Sequence, residues 1–106
     1  MNSGRYVLDE NRRVVLCEDL LTWAHWFERS HEARVVGQTA MPGVLVSTIF
    51  LGLNMNVMGG SPVFWETMTF SSNEKINGHQ LRCAGTWEQA EAMHQQMVEW
   101  VKEQLW

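Results

Sequence analysis

From Val44 to Leu51 the chain reads VLVSTIFL, and from Val63 to Phe70 it reads VFWETMTF. Both runs are dense in β-branched and aromatic residues, which predicts strands. In Val44 to Leu51 one alternate set is Val44, Val46, Thr48 and Phe50, and the other is Leu45, Ser47, Ile49 and Leu51. In Val63 to Phe70 the sets are Val63, Trp65, Thr67, Thr69 and Phe64, Glu66, Met68, Phe70. Neither run has a clean polar set, whereas a sheet with one wet face alternates more sharply. Either these central strands are covered on both sides within the chain, or one face meets a partner. Two helices offer limited material for covering both sides.

Other segments complete the pattern. Tyr6-Val7-Leu8 and Val14-Val15-Leu16 flank the turn-forming Asp9-Glu10-Asn11-Arg12, which predicts a small hairpin. Glu18 to Glu28 carries apolar residues at Leu20, Leu21, Trp23, Ala24, Trp26 and Phe27. That is a broad stripe at helical spacing, with acids at its start and Arg29 and His31 at its end. Arg34 to Gln38 predicts a strand, broken by Met41-Pro42-Gly43. His79 to Ala84 predicts a further strand, and the preceding Asn77-Gly78 is a type I′ hairpin signal. Ser71 to Glu74 is also turn-like, so the strand before it can end early. Thr86 to Leu105 predicts the most regular helix. Thr86 and Gln89 form a capping box, and Ala90, Met93, Met97, Val98, Val101 and Leu105 mark one face. Consecutive strands between two helices predict an α+β fold, a single domain over residues 1–106. Its antiparallel sheet has about four to six strands, with two amphipathic helices packed on one face.

Composition narrows the function. The chain has 106 residues, 45% of them hydrophobic and 19% charged, which suits one folded domain rather than a disordered one. Net charge is −4, and Arg12-Arg13 is the only adjacent basic pair, so no nucleic-acid footprint is present. The N-terminus lacks an apolar signal-peptide core, and no run approaches the ~20 residues of a membrane span. Cys17 and Cys83 match no metal spacing and read as reduced thiols of a cytoplasmic protein.

Catalytic signatures are absent. There is no phosphate-binding loop, dinucleotide fingerprint, nucleophile elbow or zinc pattern, and no cofactor is implied. His25, Glu28 and Glu32 share a helix face, but a metal site wants a second His there. Glu66 and His79 could meet across a hairpin as an acid–base pair, or serve a structural role. The chain is therefore more an interaction protein than an enzyme.

The eleven residues Gly52 to Pro62 form the long connection between the central strands. A loop of this length carrying Met is either an adaptable contact surface or a plain connection folded back on the sheet. Its candidate contact residues are Asn54, Met55, Asn56 and Met58. The six Trp residues suggest an alternative, a small-ligand or enzyme pocket between sheet and helices. Trp23, Trp26, Trp65 and Trp87 would line it, with Glu66 and His79 as polar groups.

The stretches CEDLLTWAHWFE, VLVSTIFLGLN, FWETMTF and GTWEQAEAMH resemble a family of short uncharacterised proteins of phages, prophages and other mobile, gene-cassette-like DNA. The resemblance runs from Tyr6 to the last helix. Leu53 to Asn56 stands where that family usually has an acidic residue and a His, and Ser71 to Lys75 replaces a Gly-rich turn. The resemblance implies a compact accessory protein of a mobile element. Taken with the two-sided apolar strands, it leads us to expect a homodimer that binds a host or phage protein, with neither nucleic acid nor membrane as partner.

Overall fold

The computed structural model describes residues 4–54, 56 and 62–105. Strands β1 (Tyr6–Leu8) and β2 (Val14–Leu16) pair antiparallel as a hairpin. Its turn is built by Asp9, whose Oδ1 accepts from the amides of Asn11 at 2.8 Å and Arg13 at 2.9 Å. Arg12 closes the turn with φ 61°, a left-handed conformation that a side chain adopts at some steric expense.

Helix α1 (Leu20–Arg29) starts two residues later than the expected Glu18, at the first residue of the apolar stripe, because Asp19 is its N-cap. Asp19 Oδ2 accepts from the Thr22 amide at 2.9 Å. Hydrogen bonds from the Thr22 hydroxyl and amide hold the Asp19 carboxyl below the usual carboxylate range. The stripe is only half used. Trp23, Ala24, Trp26 and Phe27 are half-buried, whereas Leu20 and Leu21 are exposed.

A 3₁₀ turn at Glu32–Arg34 leads into β3 (Val35–Met41), followed by β4 (Val44–Phe50), β5 (Trp65–Ser71), β6 (Gln80–Cys83) and helix α2 (Trp87–Leu105). These four strands form an antiparallel sheet in the order β3-β4-β5-β6. The fold is α+β, with a two-stranded and a four-stranded antiparallel sheet and two helices. Strand β3 runs past Gln38 to Met41, because Pro42 and Gly43 supply a two-residue turn in which Gly43 takes φ +74°.

The two-residue type I′ turn expected at Asn77-Gly78 does not form. Residues 72–79 all lie in the connection, and Asn77 keeps a negative φ. Ile76 is the reason: its side chain is fully buried against Val44, Val46 and α2, and it pulls the connection into the core. The amides of Ile76 and Asn77 both donate to Asn73 O, and Asn77 Oδ1 accepts from the Ser71 amide.

Helix α2 lies across one face and touches all four strands. Its capping box forms as expected, with the Gln89 amide donating to Thr86 Oγ1 at 3.2 Å and the Thr86 amide to Gln89 Oε1 at 2.8 Å. Alternation along β4 places Val44, Val46, Thr48 and Phe50 under this helix, all buried. One end of the core gathers Tyr6, Leu8, Phe50, Phe64, Trp65, Trp87, Ala90 and Met93. The other gathers Val44, Val46, Ile76, Met97, Val98 and Val101. Helix α1 joins the first end through Trp26, whose ring meets Phe50 edge-on at 5.9 Å.

Candidate functional site

The face of the sheet away from α2 has nothing over it among the described residues. Strand register sets out three rows on it. Val35, Ile49, Glu66 and Arg82 form the first, Gln38, Ser47, Met68 and Gln80 the second, and Ala40, Leu45 and Phe70 the third. Each of these residues is half-buried or exposed, and Phe70 is 48% exposed. The larger apolar side chains of this face are Val35, Leu45, Ile49, Met68 and Phe70. Its charges are already matched, since Glu66 Oε2 accepts from Arg82 Nε at 2.7 Å. Gln38 donates weakly to Ser47 Oγ at 3.4 Å.

The residues singled out from the sequence do not converge. Trp65 is fully buried, and its indole N–H donates to Gly85 O at 2.7 Å, so it holds the core together and faces no ligand. Glu66 is spent on Arg82, on the open face. His79 is tied to Thr69, whose Oγ1 accepts from its amide at 2.9 Å; its ring lies tilted against Trp100 at 4.2 Å and its Nε2 donates to Lys75 O at 3.1 Å. The pair Glu66 and His79 therefore forms no acid–base couple.

In the connection, Met55 and Met58 lie outside the described residues. Asn54 organises the chain there: its Oδ1 accepts from the Asn56 amide at 2.9 Å and the Val63 amide at 3.2 Å. Its own amide donates to Gly4 O at 2.9 Å, and half-buried Asn56 follows. Gly52 O accepts from the Tyr6 amide and from the Trp23 indole. The start of the connection is thus stitched to the N-terminal hairpin. Gly52 is required at this point, with φ +75° and the Phe27 ring only 3.0 Å from where a Cβ would stand.

Of the four Trp residues expected around a pocket, Trp65 is fully buried in the core, whereas Trp26 and Trp87 share one among the described residues. They line a groove of about 480 Å³ together with Asp9, Glu10, Arg12, Arg29 and Glu32. The Arg12 guanidinium sits over the Trp87 ring at 4.3 Å and partly fills it. The acids and bases there are intermixed, and the groove selects no ligand charge.

One arrangement escaped the sequence reading. His94 lies on the buried face of α2, with Nε2 at 2.9 Å from Thr39 Oγ1 and Nδ1 at 2.7 Å from Thr48 Oγ1. Thr48 Oγ1 is in turn 2.5 Å from Thr67 Oγ1. This polar seam separates the two apolar clusters. Its signal was present in the sequence: His94 interrupts the apolar stripe between Met93 and Met97, and threonines recur at alternate strand positions. Burial lowers the His94 pKa from its ordinary value, because the charged imidazolium loses water there.

Among the described residues no group of three His, Cys, Asp or Glu side chains could hold a metal ion, and no helix is long and apolar enough to cross a membrane. No protein-family model, curated protein or solved structure matches the chain.

Proposed function

We propose that this chain is a non-catalytic accessory protein of a mobile genetic element, and that it works by binding protein through the open face of its sheet. A second copy of the chain is its first occupant. The observation behind this reading is the row structure of that face, where Leu45 and Ile49 of β4 and Met68 of β5 are half-buried and Phe70 of β5 is exposed, on the two central strands. The size fits. Strands ~4.8 Å apart, each advancing ~3.4 Å per residue, span roughly 20 by 24 Å at the widest. Side chains standing off that plane raise the area toward the ~800 Å² per partner of a standard interface. The charge fits as well, because the pairing of Glu66 with Arg82 leaves no net charge on the face to repel its own copy.

Light scattering on the purified chain tests the proposal. The expected mass is twice that of the 12.3 kDa chain, falling to a single chain in Ile49→Asp and Phe70→Asp variants that keep their helical circular dichroism. A native chain that stays monomeric at high micromolar concentration overturns the homodimer.

A further inference from the structure

Helix α2 is fastened to the sheet by an imidazole where an apolar side chain would serve, and the surroundings are shaped for it. On β3, Gly37 removes a side chain at the closest approach: a Cβ there would stand 3.3 Å from His94 Cδ2 and Nε2. The register of β3 against β4 shifts between Val35 and Gly37, at the same level. Thr39, Thr48 and Thr67 then supply hydroxyls from three adjacent strands. A neutral imidazole has one donor and one acceptor, and a row of hydroxyls can orient to match both.

We infer that the seam is an acid-sensitive fastening: protonation of His94 loosens α2 from the sheet and uncovers the face that it normally hides. The hydrogen bonds alone do not forbid the charged form. Thr39 and Thr48 could both accept from an imidazolium, with Thr48 donating onward to Thr67. What is missing is a counter-charge. Strands β3 and β4 carry no titratable residue. Strand β5 carries only Glu66, which lies on the opposite face and is held by Arg82 of β6. The remaining titratable group on β6 is the Cys83 thiol, which is half-buried. On α2 itself Glu88, Glu91, Glu99, Lys102 and Glu103 are all exposed; Glu91, one turn before His94, is the nearest of them along the helix, and the ring nitrogens of His94 bond to Thr39 and Thr48 instead. An imidazolium formed here would be buried without a counter-charge, whereas in an opened helix it would be hydrated.

The sign follows from linkage. The native state binds this proton less readily than the opened state does. Stability is complete above the ordinary His pKa of about 6.5 and falls as pH drops below it, until the native His94 also titrates. With one proton involved, opening grows by at most about tenfold per pH unit. Between pH 7.5 and 5 the carboxylates stay largely ionised, so the window reports on His.

The test is amide hydrogen exchange across residues 87–105, corrected for intrinsic rates, together with an NMR titration of the four His rings. We expect protection of α2 to fall between pH 6 and 5, by up to about tenfold. The fall should disappear in His94→Gln and persist in His79→Gln. Overturning results are a His94 ring that titrates at or above the exposed His25 and His31, or an undiminished fall in His94→Gln. If His94→Gln does not fold, the native ring titration and exchange profile decide the matter alone.

Discussion

The two faces of the sheet are cut from the same strands and meet opposite fates. Under α2 lie Val44, Val46, Thr48 and Phe50 of β4, and Trp65, Thr67 and Thr69 of β5, none more than 5% exposed. On the other side stand Leu45, Ser47 and Ile49 of β4, and Glu66, Met68 and Phe70 of β5, all half-buried or exposed. The hidden set holds three hydroxyls and the uncovered set one, so hydropathy would not have chosen between them. The choice is made by what the overlying elements can offer. His94 of α2 completes Thr48 and Thr67. The connection after β5 completes Thr69, whose Oγ1 donates to Ile76 O at 2.5 Å and accepts from the His79 amide at 2.9 Å. Buried polar groups are tolerated where each finds its partner. An uncovered Phe70 calls for a different explanation, which is why the open face is the surface that we assign to binding.

The widest gap between the faces should appear on truncating a large hidden residue. Trp65→Ala removes the ring that touches both Phe50, at 5.1 Å, and Trp87, at 5.8 Å. It also leaves Gly85 O without its indole donor. A loss of about 3–5 kcal/mol is expected, read as a lower urea midpoint, enough to unfold a domain of ordinary stability. A loss under 1 kcal/mol would show that this end of the core is not close-packed.

A smaller effect separates hidden hydroxyls from hidden methyls. Thr69→Val keeps shape but strands the His79 amide and the Ile76 carbonyl, and should destabilise by about 1–3 kcal/mol. Thr69→Ser keeps the oxygen and should recover part of the loss. If Val is as stable as Thr, solvent reaches these groups, and the connection 72–79 is held by Ile76 alone.

These contrasts also mark how far the sequence could be read. Both helices, the capping box at Thr86 and Gln89, and the strand runs were legible because each rests on local chemistry within a few residues. The inside and outside of β4 and β5 were not. Their alternation is masked, since Thr48, Thr67 and Thr69 read as polar and are buried, while Leu45 and Phe70 read as apolar and are not. That inversion depends on His94 and Ile76, which lie far along the chain from most of these threonines. The turn at Asn77-Gly78 was misplaced for a similar reason: the local preference for a two-residue turn yields to burial of Ile76. Trp65 and Glu66 were noticed for their chemistry, but the register gives each a structural partner, Gly85 O and Arg82.

The smallest effect on a single chain should come from the open face, and it is the one that sharpens the comparison most. Phe70→Thr replaces a half-exposed ring on a strand surface with a residue of good strand preference, so an isolated chain should change by no more than about 0.5 kcal/mol. A face that binds its own copy behaves differently with concentration. Association stabilises the native state by mass action, so the melting temperature of the native chain should climb as protein concentration rises. In Phe70→Thr it should stay level, at the value that the native chain reaches on extreme dilution. Trp65→Ala, by contrast, should lower stability at every concentration. The two variants therefore report on the two faces separately. A native melting temperature that ignores concentration, with Phe70→Thr indistinguishable from it throughout, would mean that the open face meets water and not a second chain.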